Sequence, residues 1–267
     1  MSIFSLKIIA LITMLIDHIG EFFPKLPHVI ILRQIGRISA PIFMFALAQG
    51  IKHTSSPKNY TKRLYFLSLV MGIGNSILTF LLPDFSVELT NNFPATLFLT
   101  ACICFIYNIK EQGGDYLPII KKFTILQFAA LPISLLVERH FPVWAEYAIR
   151  GIYPNIFTCE GGIFFICMGF ILYCFCDDPK KLSISYLFLC SLYAATEIIS
   201  IYLSNLPMTR LFTDDVQWMM IFALVFMLNY NGKKGYTNKY CKYLFYIFYP
   251  AHIWLLYIIS YKIIHIK

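Results

Sequence analysis

The sequence predicts an all-α fold, a polytopic membrane bundle of about nine transmembrane helices (eight to ten) with its N-terminus in the cytoplasm. Three observations carry that expectation: a deficit of charge, apolar runs of helical length, and a lopsided distribution of Lys and Arg. Of 267 residues, 58% are hydrophobic and 13% charged, with a mean hydropathy of +0.67. A soluble chain carries about 25% charged residues, so most of this chain is built to avoid water. The runs follow one another with short polar gaps, which leaves no room for a separate soluble domain. Residues 1–267 therefore read as one membrane domain.

In lipid each run must satisfy its own backbone, which restricts spanning structure to helices or a closed barrel. Barrel strands need only roughly 9–11 alternating residues, and these runs are longer and unalternated. They fall at about 3–23, 35–52, 60–82, 93–109, 117–137, 158–176, 183–204, 216–229 and 240–263, each judged against the roughly 20 residues of a span. The eighth is short. The stretch from Glu146 to Phe157 reads as an extra half-helix. The first run is a retained helix rather than a cleaved signal, because Glu21, Phe22, Phe23 and Pro24 follow Gly20 where small cleavage-site residues would stand.

With the N-terminus inside, alternation gathers 14 of the 22 Lys and Arg on the cytoplasmic side. These are Lys7, Lys52, Lys58, Lys62, Arg63, Lys110, Lys121, Lys122, Lys180, Lys181, Lys233, Lys234, Lys239 and Lys242. The outer segment from Pro83 to Pro94 holds Asp84 and Glu88 and no cation. The C-terminal Lys267 then lies outside. The net charge of +8 follows from orientation and contact with anionic lipid, and calls for no nucleic-acid partner. The chain contains no Walker loop, dinucleotide glycine fingerprint or zinc-protease motif. The C-x-C pairs Cys102/Cys104 and Cys174/Cys176 sit in apolar runs and read as packing, not as a metal site.

The ionisable residues inside the runs are the informative ones, since each costs roughly 2.5–3.5 kcal/mol at a helix centre. Lys7 and His18 are eleven residues apart, about three turns plus 20°, so they leave one face of the first helix about 16 Å apart along its axis. Asp17 points about 100° away from His18 and is placed to pair with a cation on a neighbouring helix. Arg33 and Arg37 share a face at i, i+4. They serve either a structural ion pair with Asp17 or Glu21, or a site for an anion or reaction intermediate. Gly36 and Ser39 admit a close helix neighbour. On the last helix Pro250 frees backbone groups, and Tyr249 and His252 at i, i+3 can face one cavity. Either ring can equally be a packed, satisfied core residue.

These blocks carry a resemblance. Leu6 to Gly20 with its Asp17-His18 pair, Gly36 to Phe45, Ala48 to Thr54, Tyr60 to Leu64, Tyr230 to Gly235 and Phe245 to His252 resemble the TraX family, named for the acetylase that modifies the pilin of F-type conjugative plasmids. The opening, Gly-Arg and closing blocks are specific; residues from about 100 to 215 resemble the family mainly in hydropathy. Such proteins are similar in turn to the wider transmembrane acyltransferases, whose first helix carries Lys/Arg-x10-His, a pattern that Lys7 and His18 fit. The resemblance implies a membrane-embedded acetyltransferase of the cytoplasmic (inner) membrane. It implies acetyl-CoA as donor, His18 as base or acyl carrier, and an unidentified peptide or glycan as acceptor. Lys7, Lys52 and Arg63, with Lys62, Lys121 and Lys122, are expected near the nucleotide, a solvated inner rim with a snorkelling Lys7 being the equal alternative, and Arg37 or Tyr249 at the oxyanion. A transporter or flippase with a polar pathway, or a non-catalytic scaffold, are the expectations from other classes.

Overall fold

The computed structural model describes residues 1–83, 87–214, 216–236 and 238–265. Asp84 and Lys267 lie outside the described residues, as do the side chains of Lys239 and Lys242. Among the described residues every regular element is a helix: α1 (Ile3–Phe22), α2 (Val29–Gly36), α3 (Ser39–His53), α4 (Pro57–Leu81), α5 (Phe93–Glu111), α6 (Leu117–His140), α7 (Val143–Ile152), α8 (Gly162–Phe175), α9 (Pro179–Leu203), α10 (Arg210–Thr213), a 3-10 helix (Gln217–Phe222), α11 (Ala223–Leu228) and α12 (Lys239–His265). Among the described residues seven segments are long and apolar enough to cross a membrane, Val29–His53 counting as one, and Gly162–Phe175 and Gln217–Leu228 are shorter apolar helices. All nine expected runs thus appear, and the expected half-helix is α7. The protein is an all-α, polytopic membrane protein.

The second span is not one rod. It breaks at Arg37 and Ile38, between α2 and α3. Pro41 explains the break: it has no N–H to give the Arg37 carbonyl, and its ring clashes with that turn. The Arg33 carbonyl, released at the same place, accepts instead from Arg37 Nε at 3.1 Å.

The chain divides into two compact units, residues 1–46 with 174–248, and residues 47–173 with 249–267. In the first, α1 and α2 run antiparallel in tight contact: Asp17 faces Gly36 and Gly20 faces Arg33. A Cβ on Gly36 would overlap the Asp17 side chain, so this approach requires glycine there. The chain's first residues are pinned to the segment after α11. Ile3 N donates to the Lys233 carbonyl at 3.0 Å and Phe4 N to that of Lys234 at 3.2 Å. Phe4 packs edge-on against Tyr236 and Phe245.

In the second unit, α4 is the central helix. Tyr65 meets Phe98 of α5, and Ser68 meets Asn92 just before it, so α4 and α5 are antiparallel. Phe80 meets Trp144 and Tyr65 meets Ile152, so α7 is antiparallel too. Gly72 and Gly151 bring α4 and α7 together; a Cβ on Gly72 would stand 2.5 Å from the Gly151 Cα. These directions agree with strict alternation across a membrane; α12 joins the same unit, where its Trp254 bonds Asn75 of α4.

Two connections re-enter this unit. Asn92 Nδ2 donates to the Ser68 carbonyl at 3.1 Å, and Ser68 lies thirteen residues, about 20 Å, below the end of α4. The chain between α7 and α8 starts deeper still, where Tyr65 Oη donates to the Ile152 carbonyl at 2.9 Å. Irregular backbone at that depth must find partners in protein, and amide side chains supply them. Asn75 Nδ2 donates to the Leu89 and Asn91 carbonyls, each at 3.0 Å. Gln127 of α6 donates to the Pro154 carbonyl at 3.3 Å and accepts from Ile156 N at 2.8 Å.

Candidate functional site

The first unit gathers Lys7, Asp17, His18, Arg33 and Arg37. Asp17 and His18 are both buried on α1, at 9% and 5% exposure. An ionised carboxylate at that depth needs compensating charge, and α2 provides it. Arg37 Nη2 donates to both Asp17 carboxylate oxygens, the bond to Oδ2 being 2.5 Å. Arg33 Nη1 lies 3.2 Å from Asp17 Oδ1 and 2.8 Å from Glu21 Oε2. The i, i+4 spacing of the arginines, with the glycine between them, is what sets both guanidinium groups against α1. The ion pairing foreseen for the two arginines is therefore present, and Asp17 and Glu21 are its acids.

Arg37 has a further partner, 180 residues away in sequence: its Nη1 donates to Gln217 Oε1 at 2.8 Å. Gln217 opens the 3-10 helix, a six-residue run in a geometry that seldom exceeds three or four residues. With the Arg33 carbonyl on Nε, four bonds occupy four of the five guanidinium N–H groups, leaving one on Nη1 without a partner among the described residues.

His18 is one residue past Asp17 and three before Glu21. Ligand-type atoms of Asp17, His18 and Glu21 lie within 4.8 Å of one another. Glu21, at i+3, is thus the carboxylate on the side of the imidazole, and the Phe22 ring covers it at 6.4 Å between centroids. The trio has the residue types of a metal site, but both carboxylates already hold arginines, which a metal ion would have to displace. At the other end of α1, Lys7 Nζ sits over the Phe245 ring, 5.6 Å from its centroid.

The second unit holds the other expected site residues. Tyr249 and His252 do share a face, their rings edge-on at 5.8 Å, and both are buried. The Tyr249 hydroxyl accepts from Phe93 N at 2.9 Å, so it caps the first turn of α5. Lys52 Nζ lies over Tyr173, 5.5 Å from the centroid, and the Arg63 guanidinium over Tyr60 at 5.6 Å. Both are thus ordered by aromatic rings.

Sequence reading missed Gln217, Asn92 and Glu160. Glu160 Oε2 accepts from Asn92 N at 2.8 Å, and its carbonyl accepts from Thr96 Oγ1 at 2.6 Å. The signal available for Glu160 was its position: an acid just before the Gly161-Gly162 pair that opens α8, within an otherwise apolar stretch.

Comparison with known proteins agrees with the motif blocks. The model of the family described as "TraX protein" matches residues 2–260. The protein named "Probable fimbrial assembly protein FimC, serogroup H1" from Dichelobacter nodosus is 28% identical over 263 residues, spanning 96% of this chain and 94% of that protein. No solved structure matches the chain.

Proposed function

The chain belongs to the TraX family, and from that premise we propose that it is an acetyltransferase of the cytoplasmic membrane, moving an acetyl group from cytosolic acetyl-CoA to an amine or hydroxyl acceptor at the membrane or its outer face. The single observation that carries this reading is the α1–α2 cluster: a buried histidine with a carboxylate beside it and a guanidinium that still has a free N–H.

The chemistry follows from those groups. His18 takes the proton from the acceptor N–H or O–H as the acceptor attacks the thioester carbonyl. Glu21 favours the imidazolium so formed. The remaining Arg37 N–H meets the oxyanion, and the Asp17, Gln217 and Arg33 contacts hold the guanidinium still, so little reorganisation accompanies the charge. The carbon–sulfur bond then breaks, and His18 returns the proton to the departing thiolate. Lys7 serves the nucleotide phosphates of the donor. The similarity to a protein named for fimbrial assembly supports an acceptor among cell-surface proteins.

The broken second span also suits a permeation pathway, and release of CoA separates the readings. Purified protein given acetyl-CoA and an envelope extract should release free CoA and leave acetyl groups on extract peptides or glycans, found by mass spectrometry. No CoA release and no new acetylation in complete extract would exclude acetyl transfer.

A further inference from the structure

The second unit has a small, partly open cavity of ≈ 20 Å³, room for one water-sized head group, that the proposed reaction does not use. Its wall includes Asn92, Tyr147, Arg150, Asn155, Thr158 and Glu160. It lies where the two re-entrant connections meet α4, α5 and α7. Most amide groups around it are spoken for: Asn75 bonds two carbonyls and Trp254, and Asn155 Nδ2 bonds the Gln127 carbonyl at 2.6 Å. Asn92 differs. It is 9% exposed, its Nδ2 is fixed on the Ser68 carbonyl, and its Oδ1 accepts no hydrogen bond from the described protein. A buried amide oxygen left in that state is destabilising, so this residue of the wall offers an acceptor that calls for a donor.

Charge points the same way. Glu160 lines the cavity, and Glu88 and Glu146 lie within electrostatic reach of Tyr147 on its wall. Arg150, also on the wall, is paired with Glu146. Glu160 Oε2 accepts from Asn92 N at the start of α5, so a carboxylate and the orphan amide oxygen belong to one part of this wall. The occupant that fits is positively charged and brings hydrogen-bond donors. A hard metal ion needs a full shell of oxygens, whereas the side chains of Gly72, Ala95 and Cys159 offer none on their part of this wall. An ammonium group needs three acceptors and tolerates an aromatic face such as Tyr147.

We propose that this cavity binds the primary ammonium group of a ligand, with Glu160 and Asn92 Oδ1 as its acceptors. The site stands on this unit's geometry alone and does not depend on the acyl-transfer reading. It is tested by thermal unfolding of the purified full-length protein, titrated at constant ionic strength with methylammonium, tetramethylammonium or sodium chloride. Methylammonium should stabilise saturably, as a ligand of the folded state does, and the other two salts should not. Glu160→Gln, which keeps an acceptor for Asn92 N, should weaken the methylammonium effect at least about 10-fold, the loss of one charge-assisted hydrogen bond. Equal stabilisation by sodium would make this a metal-cation site. Equal stabilisation by tetramethylammonium would reduce it to unspecific charge, and no saturable effect of methylammonium would remove the site; each overturns the proposal. Should Glu160→Gln fail to yield monodisperse protein, the three-salt comparison on the native protein decides by itself.

Discussion

Replacing Arg37 by Gln removes the cation that holds Asp17 on both oxygens, while keeping a polar side chain at that position. The Asp17 and Arg37 side chains are 13% and 17% exposed, so the pair is largely out of water. Deleting one partner of a buried pair costs about 3–5 kcal/mol, because the other charge is left uncompensated. Here Arg33 stays 3.2 Å from Asp17 and offsets part of that loss, which places Arg37→Gln at the low end, about 3 kcal/mol. Asp17→Asn should cost a similar amount, since Arg37 would keep only neutral partners. The double variant has neither charge and should cost about 3 kcal/mol rather than 6, a coupling of about 3 kcal/mol between directly contacting groups. Reversible unfolding in mixed micelles with increasing SDS, run on the native protein, both single variants and the double, reads all four corners. Additive losses, with a coupling below about 0.5 kcal/mol, would refute the pairing and with it the account of how Arg37 is held.

Further outcomes follow from the same geometry. Lys7→Ala should raise KM for acetyl-CoA more than it lowers kcat, since the ammonium sits at the start of α1 and away from His18; an equal fall in kcat and kcat/KM would move Lys7 into the chemistry. Gly72→Val should cost at least about 1–3 kcal/mol as an overpacked contact, because its Cβ would meet the Gly151 backbone, which cannot turn aside as a side chain would; unchanged unfolding would show that α4 and α7 are not in such contact. A cysteine at Lys233 should resist impermeant thiol reagents in intact cells and react after permeabilisation, as the charge bias requires. Labelling from outside would invert the topology.

Much of this was legible in the sequence, and the limits are instructive. Hydropathy finds the spans because lipid forces every spanning backbone to be helical. The arginine pair was legible because i, i+4 spacing fixes a common face and buried cations demand acids, and Asp17 and Glu21 were the acids nearest in sequence. The break at Arg37 was written in Pro41, four residues on, but an apolar window averages over it. Gln217 was not legible: a glutamine in a short apolar run gives no sign that it will meet an arginine 180 residues earlier. The re-entrant connections were hidden for a related reason. Segments 87–92 and 153–161 look like surface loops by composition, and only the amides of Asn75 and Gln127, on other helices, allow them to lie at depth.

The reaction rests on His18. A residue that only donates and accepts hydrogen bonds cannot replace a titrating imidazole, so His18→Gln isolates proton transfer from packing. The decisive measurement is single-turnover acetyl transfer by detergent-purified His18→Gln beside the native protein, with acyl-CoA binding and monodispersity measured on the same samples. The variant should remain monodisperse and bind acyl-CoA, yet transfer acetyl at least about 100-fold more slowly, the low end for losing a positioned base. Turnover within a few-fold of native would contradict the central claim and shift the search for a base to His252.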